Sequence, residues 1–112
     1  MNISLTPRRL RSLPMVWALG INVPAATRFG SRLLGLALLP RERAGPGLLI
    51  PRCRSVHTFG MRFALDVVFL DDGGEEIRRA RIGPCRFARE RRARAVLELP
   101  ARPGGAASGG GV

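Results

Sequence analysis

The fold is decided by the stretch Phe63-Ala64-Leu65-Asp66-Val67-Val68-Phe69-Leu70-Asp71-Asp72-Gly73-Gly74. Residues 63–70 are apolar on both faces apart from Asp66, which predicts a strand in the middle of a sheet. Residues 71–74 predict a tight turn, because glycine tolerates positive φ and an aspartate side chain accepts hydrogen bonds from nearby backbone. The mixed polarity of residues 75–82 then predicts the half-exposed second arm of a hairpin.

Shorter patterns on either side of this hairpin predict further strands. Residues 47–50 are an apolar run between two prolines, and residues 95–99 predict a last strand. In residues 17–23 the apolar side chains alternate with period two, which predicts one half-buried strand. Residues 87–93 predict a loop or a short helix. The aromatic and thioether side chains expected in the core are Phe59, Met61, Phe63 and Phe69.

One helix is predicted near the N-terminus. Thr27 can cap it, and Pro40 ends it. Between these two residues, the apolar side chains of Phe29, Leu33 and Leu36 repeat at helical spacing. The sequence therefore predicts an α+β domain in which strands predominate.

Length and composition set the class of protein. With 112 residues, 46% of them hydrophobic, the chain suits one domain with one core. Two cysteines exclude a disulfide-dense scaffold, and the single His57 excludes the H-E-x-x-H metalloprotease motif. No apolar run approaches the ~18 residues of a membrane-spanning helix. We expect a soluble domain over residues 15–100, between a flexible basic arm (1–14) and a disordered Gly/Ala-rich tail (101–112).

The charge is strongly basic. Nineteen arginines and no lysines oppose eight acidic residues, which gives a formal net charge of +11. The arginines are dense in residues 78–94, where Phe87 could offer a stacking surface for bases. Arginine binds phosphate well, so nucleic-acid binding is one hypothesis, whereas the alternative is a solvated surface produced by GC-rich codons. We expect weak polyanion binding at low salt.

The N-terminus raises the question of a secretory signal, because a basic start precedes an apolar centre at residues 15–21. This centre is short, and Gly20, Asn22 and Pro24 interrupt it. We therefore expect a cytoplasmic protein, with secretion as the alternative.

Candidate chemistry is concentrated in residues 51–62, PRCRSVHTFGMR, where His57 stands four residues after Cys53 and four before Met61. Thiolate, imidazole and thioether ligands suit Cu(I), so these three residues are a candidate soft-metal site. Alternatively, Cys53 is a nucleophile, with His57 as its base and Asp66 as the orienting carboxylate. A redox pair of Cys53 with Cys85 is a variant of this hypothesis, although a reducing cytoplasm opposes a permanent disulfide.

Two further interpretations involve no reaction. In the first, polar side chains beside the apolar core line a pocket for a small polar or anionic ligand. This set comprises His57, Thr58, Arg62, Asp66 and Asp71. In the second, His57, Thr58 and Asp66 form a structural network that ties the loop to the sheet. In both cases Asp66 must be hydrogen-bonded or paired, because an isolated carboxylate in an apolar strand is costly.

The run GLLIPRCRSVHTFGMRFALDVVFLDDGG, residues 47–74, closely resembles the bacterial and archaeal domain-of-unknown-function family 192. R-L-L-G-L at residues 32–36, G-P-C at 83–85 and A-V-L-E-L-P at 95–100 extend the resemblance over about residues 22–100. It implies a β-dominated α+β domain, in the form of a small partly open barrel or curled sheet with one short N-terminal helix. It does not imply any particular reaction. The family's polar signature falls on Cys53, His57, Thr58, Met61, Asp66, Asp71 and Gly73.

The C-terminus departs from this family pattern. Relatives commonly continue past the E-L-P strand into a final strand, whereas this chain has residues 101–112 in that place. Either the domain closes without that last strand, or a sheet edge stays exposed for a partner. Taken together, the residues favour a non-enzymatic binding or accessory module with a polar pocket at residues 53–66. Cu(I) binding and arginine-mediated nucleic-acid binding are the alternatives.

Overall fold

A computed structural model describes residues 13–27 and 45–101 of the chain. These residues form eight strands and no helix. In chain order the strands are β1 (Met15–Ala18), β2 (Ile21–Pro24), β3 (Leu48–Pro51), β4 (Ser55–His57), β5 (Leu65–Leu70), β6 (Glu76–Ile82), β7 (Phe87–Arg89) and β8 (Ala95–Pro100).

Four of the strands form an antiparallel central sheet in the order β3-β8-β5-β6. The other four form two separate antiparallel pairs, β1 with β2 and β4 with β7. The strand predicted from residues 63–70 is β5, and it lies inside the central sheet between β8 and β6. The following turn and the return strand β6 are also confirmed.

Each face of the central sheet is covered by one of the two-stranded pairs, which explains why β5 is apolar on both faces. Val67 and Phe69 belong to the main core, which also contains Val56 of β4 and Ala88 of β7. Val68, on the opposite face, belongs to a second core with residues of β1 and β2. Alternate residues of one strand therefore serve two cores.

The single strand predicted from residues 17–23 is wrong. The chain turns back at Leu19 and Gly20, so that Ala18 pairs with Ile21. Both turn residues have positive φ, 51° and 77°, which matches the twist of a two-residue hairpin. The apolar alternation continues across this turn in the sequence. Leu19, a non-glycine residue with positive φ, does not indicate a turn there.

The loop or short helix predicted from residues 87–93 is wrong at its start. Residues 87–89 are strand β7, whose central residue, Ala88, is buried opposite Val56 of β4. A strand of three residues is too short for its alternation to be recognised in the sequence. Its conformation depends instead on its pairing with β4, about thirty residues away.

The β-dominated class is confirmed, and the described strands form three sheets rather than one closed barrel. The predicted N-terminal helix falls on residues 28–40, which lie outside the described residues, as do residues 1–12 and 102–112. Leu13 and Ala101 are both buried. These two residues lie just outside the predicted domain of residues 15–100, whose limits stay a prediction.

The last described strand, β8, is not an edge, because it lies between β3 and β5. Within the part of the chain that the structure describes, β6 pairs with β5 alone. This strand carries the charged side chains of Glu76, Arg78, Arg79 and Arg81. Charged side chains on an edge strand disfavour pairing with another sheet. A partner at this edge stays a prediction.

Candidate functional site

A groove of about 980 Å³ opens where the β1–β2 turn approaches one end of the central sheet. Its deeper side is apolar and consists of buried and half-buried side chains, among them Ala18, Leu49 and Leu70. Its rim consists of exposed side chains. The rim residues that matter below are Trp17, Arg52, Arg54, Asp72 and Arg94.

Trp17 is the largest apolar side chain at the rim, and 74% of its surface is exposed. It is the only tryptophan in the chain. An exposed indole leaves a large apolar area in water, and rings of this kind are typical anchors for ligands and partners. The β1–β2 turn therefore presents an aromatic wall to the groove.

The charged rim is mixed but has more cations than anions. Three arginines line it, against Asp71 and Asp72 of the β5–β6 turn. Arg52 has a φ of 52°, a conformation that costs energy in a residue with a β-carbon. The opening thus combines an apolar floor, an indole and guanidinium groups.

Asp71 belongs to the predicted pocket set and lines this groove, but its carboxylate serves the turn. Its Oδ1 accepts hydrogen bonds from the backbone N–H groups of Gly73 and Glu75, both at 2.9 Å. This Asx-type geometry fixes the β5–β6 turn that forms one wall. The remaining predicted residues lie elsewhere.

Thr58 is fully buried and joins two loops. Its hydroxyl accepts a hydrogen bond from the Arg86 backbone N–H at 2.6 Å and donates one to the Gly83 carbonyl at 2.7 Å. Thr58 also donates its own N–H to the Arg86 carbonyl and accepts at its carbonyl from the Cys85 N–H. The side chain is thus fully engaged in structure.

Asp66 is paired, as expected for a carboxylate in an otherwise apolar strand. It accepts two hydrogen bonds from Arg81, the residue directly opposite on β6, at 2.9 and 3.3 Å. Its strand position places it on the same side of the sheet as Val68, facing β1 and β2. His57 lies beyond the other face, because its neighbour Val56 packs into the main core and His57 points away from it.

The structure consequently does not bring His57 and Asp66 together, either as a triad with Cys53 or as one pocket. Among the described residues, His57 contacts the Phe59 ring instead, with centroids 5.2 Å apart and planes inclined by 28°. Arg62 is exposed. The proposed structural network exists in two unconnected parts, one around Thr58 and one around Asp66.

The three candidate Cu(I) ligands lie in different environments. Met61 is buried in the main core, whereas His57 is exposed on β4. The Cys53 thiol is half-buried against that core and donates a hydrogen bond to the Ser55 carbonyl at 3.0 Å. Within residues 13–27 and 45–101, no group of three His, Cys, Asp or Glu side chains is placed to hold a metal ion. Cu(I) binding stays a prediction.

Several ion pairs set the local electrostatics. The hydrogen bond that Arg81 donates to Asp66 raises the pKa of Arg81, and the bond from Arg79 to Glu76 raises that of Arg79. The hydrogen bonds that Arg92 donates to the Glu90 carboxylate lower the pKa of Glu90. Arg79, Arg81 and Glu90 are therefore charged at neutral pH.

Sequence reasoning missed four residues that the structure makes prominent. Phe59, predicted to be core, is 59% exposed, because it lies in the turn that follows β4. Trp17 and Arg94 line the groove as a result of tertiary packing, and nothing in the sequence indicated this position. Glu98 is 5% exposed in the central sheet between Leu48 and Val67. A single acidic residue in an otherwise apolar strand was visible in the sequence there, as it was for Asp66.

Comparison with known proteins gives one match. The model of the family DUF192, described as an uncharacterized conserved region, matches residues 16–108, which is 93 of the 112 residues. This span is wider at both ends than the 22–100 expected from the sequence motifs. No curated protein and no solved structure matches. Among the described residues, no helix is long and apolar enough to cross a membrane.

Proposed function

The chain belongs to the DUF192 family, and on this premise we propose that it is a small binding module whose site is the groove beside Trp17. The observation that carries the proposal is the combination of an exposed indole, an apolar floor and three arginines around one opening of about 980 Å³. This location replaces the pocket expected at residues 53–66, because Thr58 and Asp66 are engaged in structural contacts.

The composition of the groove defines the class of ligand. A flat apolar group would remove the Trp17 ring and the apolar floor from water, and ring stacking adds to that gain. A carboxylate, sulfonate or phosphate would be met by Arg54 and Arg94, whose guanidinium groups bind such anions in a planar geometry. The ligand is therefore a small molecule that carries a planar apolar part and an anionic group.

The β5–β6 turn gives the groove a fixed wall. Asp71 holds Gly73 and Glu75 through its carboxylate, and its backbone carbonyl accepts a further hydrogen bond from Gly74. Because this wall needs no ordering when the ligand enters, little of the binding free energy is lost to conformational entropy.

The test uses Trp17 as a fluorophore, because the chain contains one tryptophan and no tyrosine. The probe is anilinonaphthalene sulfonate, which joins planar apolar rings to a sulfonate and accepts energy from an indole close to it. We expect saturable energy transfer from Trp17. In the double variant Arg54→Ala/Arg94→Ala, the affinity falls roughly tenfold, as loss of one charge-assisted contact would produce.

The matched control is the double variant Arg62→Ala/Arg91→Ala, which removes two exposed arginines outside the groove lining. It should keep the wild-type affinity. Equal weakening in both double variants would mean that net charge alone attracts the probe. That result, or the absence of energy transfer from Trp17, would reject the groove as the site.

A further inference from the structure

A second surface, on the opposite side of the central sheet from β1 and β2, carries a cluster of exposed rings. In the β4–β7 pair, Val56 and Ala88 face the main core, so the residues on either side of them face outward. His57 and Phe87 are directly opposite each other in this pair. Such cross-strand neighbours stand side by side on one face.

Phe59 completes this surface, since its ring is stacked on that of His57. Phe59 and Phe87 are 59% and 49% exposed, and His57 is also exposed. We call these three residues the aromatic face. These rings remain exposed to water although the main core lies on the other side of the same strand pair. The aromatic face therefore has exposed apolar area that is not buried by folding.

The charge around the aromatic face is predominantly positive. Arg89 stands opposite Ser55 on the outward side of the pair, and Arg62 and Arg86, which are close to Phe59 and Phe87 in the sequence, are exposed. Residues 53–65 and 83–89 contain no acidic residue, and the carboxylate of Glu90, which follows Arg89, is paired with Arg92. The partner of this surface should therefore be an anion with flat apolar groups, repeated along an extended chain.

Thr58 holds the aromatic face in a fixed arrangement. It follows His57 and precedes Phe59, and its side chain and backbone bind Arg86, the residue before Phe87. The two segments that carry the rings are thus joined by hydrogen bonds at a fully buried residue. A preformed surface loses little conformational entropy when it binds.

We propose that the aromatic face binds single-stranded nucleic acid, with two or three bases on its rings and the phosphates against Arg62, Arg86 and Arg89. Aromatic side chains stack on every base, and exposed rings on a small sheet flanked by arginines suit unpaired strands. A duplex offers stacked bases that such rings cannot reach. A second copy of this chain is disfavoured by the net charge of +11.

The proposal goes beyond the groove and uses different side chains. The experiment measures the fluorescence anisotropy of a labelled oligothymidylate of about 12 nucleotides, and of the same strand in a duplex, at low and moderate salt. We expect the wild type to bind the single strand more tightly than the duplex. The variant Phe59→Ala/Phe87→Ala should lose at least about tenfold in affinity for the single strand, because stacking on one base accounts for that much.

Met15→Ala is the control, since it removes an apolar side chain that is 55% exposed and belongs neither to the aromatic face nor to the groove lining. It should bind the single strand within about twofold of the wild type, and circular dichroism should show that both variants are folded. The proposal is overturned if the double phenylalanine variant binds like the wild type, since charge alone would then hold the strand.

Three other results would also overturn it. The first is equal affinity for the duplex and the single strand, and the second is no binding by the folded wild type at low salt. The third is a wild-type dimer in sedimentation that Phe59→Ala/Phe87→Ala converts to a monomer, which would make the aromatic face an interface between copies.

Discussion

The hydroxyl oxygen of Thr58 lies 2.6 Å from the backbone nitrogen of Arg86, a residue 28 positions further along the chain. The backbone N–H of Thr58 is also bonded to the Arg86 carbonyl, at 2.7 Å. One buried residue thus joins the turn after β4 to the segment before β7. The threonine of the H-T-F-G-M motif therefore has a structural role. The rings of His57 and Phe59 on either side of it are exposed.

Replacing Thr58 by valine should destabilise the protein by about 1–3 kcal/mol, because the Arg86 N–H and the Gly83 carbonyl would lose a buried partner. Urea unfolding followed by circular dichroism measures this change. Thr58→Ser keeps the hydroxyl and loses only a methyl group, so it should cost ~1 kcal/mol. A Thr58→Val variant as stable as the wild type would show that the hydrogen bonds do not matter, because valine keeps the methyl group and loses only the hydroxyl.

Gly47→Ala should destabilise the protein by at least ~2 kcal/mol. A β-carbon at this position would lie 2.7 Å from the Glu98 carbonyl oxygen and 2.7 Å from a Leu99 methyl group, and the residue has a φ of 151°. Both the contact with β8 and the backbone strain oppose the substitution. Thermal unfolding is the measurement. Gly83→Ala is the control, because nothing lies within 4 Å of its added carbon, and it should cost less than ~1 kcal/mol.

Glu90 should contribute to the pH dependence of stability. Hydrogen bonds from Arg92 lower its pKa below the ordinary 4.5, so the folded state favours its charged form. The resulting stabilisation is present above pH 4.5 and is lost as the pH falls through the lowered pKa. Glu90→Gln should therefore melt at a slightly lower temperature than the wild type at neutral pH.

The melting temperatures of Glu90→Gln and the wild type should converge in acid, where the wild-type carboxylate is protonated. Glu75→Gln provides the control, since Glu75 is exposed and contacts Asp71 through its backbone. A difference between Glu90→Gln and the wild type that stays constant down to strongly acidic pH would contradict the assignment.

The two cysteines should react with dithiobis(nitrobenzoic acid) at different rates. Cys85 is exposed, whereas Cys53 is half-buried, with its thiol bonded to the Ser55 carbonyl. We expect a fast and a slow phase of one thiol each, and Cys85→Ser should remove the fast one. In denaturant both thiols should react quickly. Fewer than two reactive thiols in the unfolded, unreduced protein would instead reveal a disulfide.

The hairpin of β5 and β6 was predictable because its signals are local. An apolar run interrupted only by Asp66, a turn of Asp and Gly, and a return of mixed polarity lie within about twenty residues. The β1–β2 hairpin was not, since its turn uses a leucine with positive φ, which sequence preferences do not anticipate. The strand β7 depends on its pairing with β4, and so it could not be predicted from its own three residues.

The residues that the sequence analysis grouped into one site lie in different parts of the structure. The motif at residues 57–61 drew attention to the turn after β4, yet it suggested that His57 and Asp66 share a pocket and that Phe59 is core. The central sheet separates the side chain of Asp66 from His57, and the turn after β4 exposes Phe59. The groove beside Trp17 unites four separate parts of the chain, so its arginines carried no common signal.

The sequence by itself determined that this chain is a basic, β-rich domain of the DUF192 family, that β5 is a central strand, and that Asp66 needs a partner. These properties follow from composition, from local apolar patterning and from the cost of an unpaired carboxylate, all of which act within a few residues. The tertiary structure alone decided which side chains meet. Two two-stranded pairs cover opposite faces of one sheet, and this layering places Trp17 and the rings of the aromatic face on different sides, because contacts across layers depend on how distant strands pack.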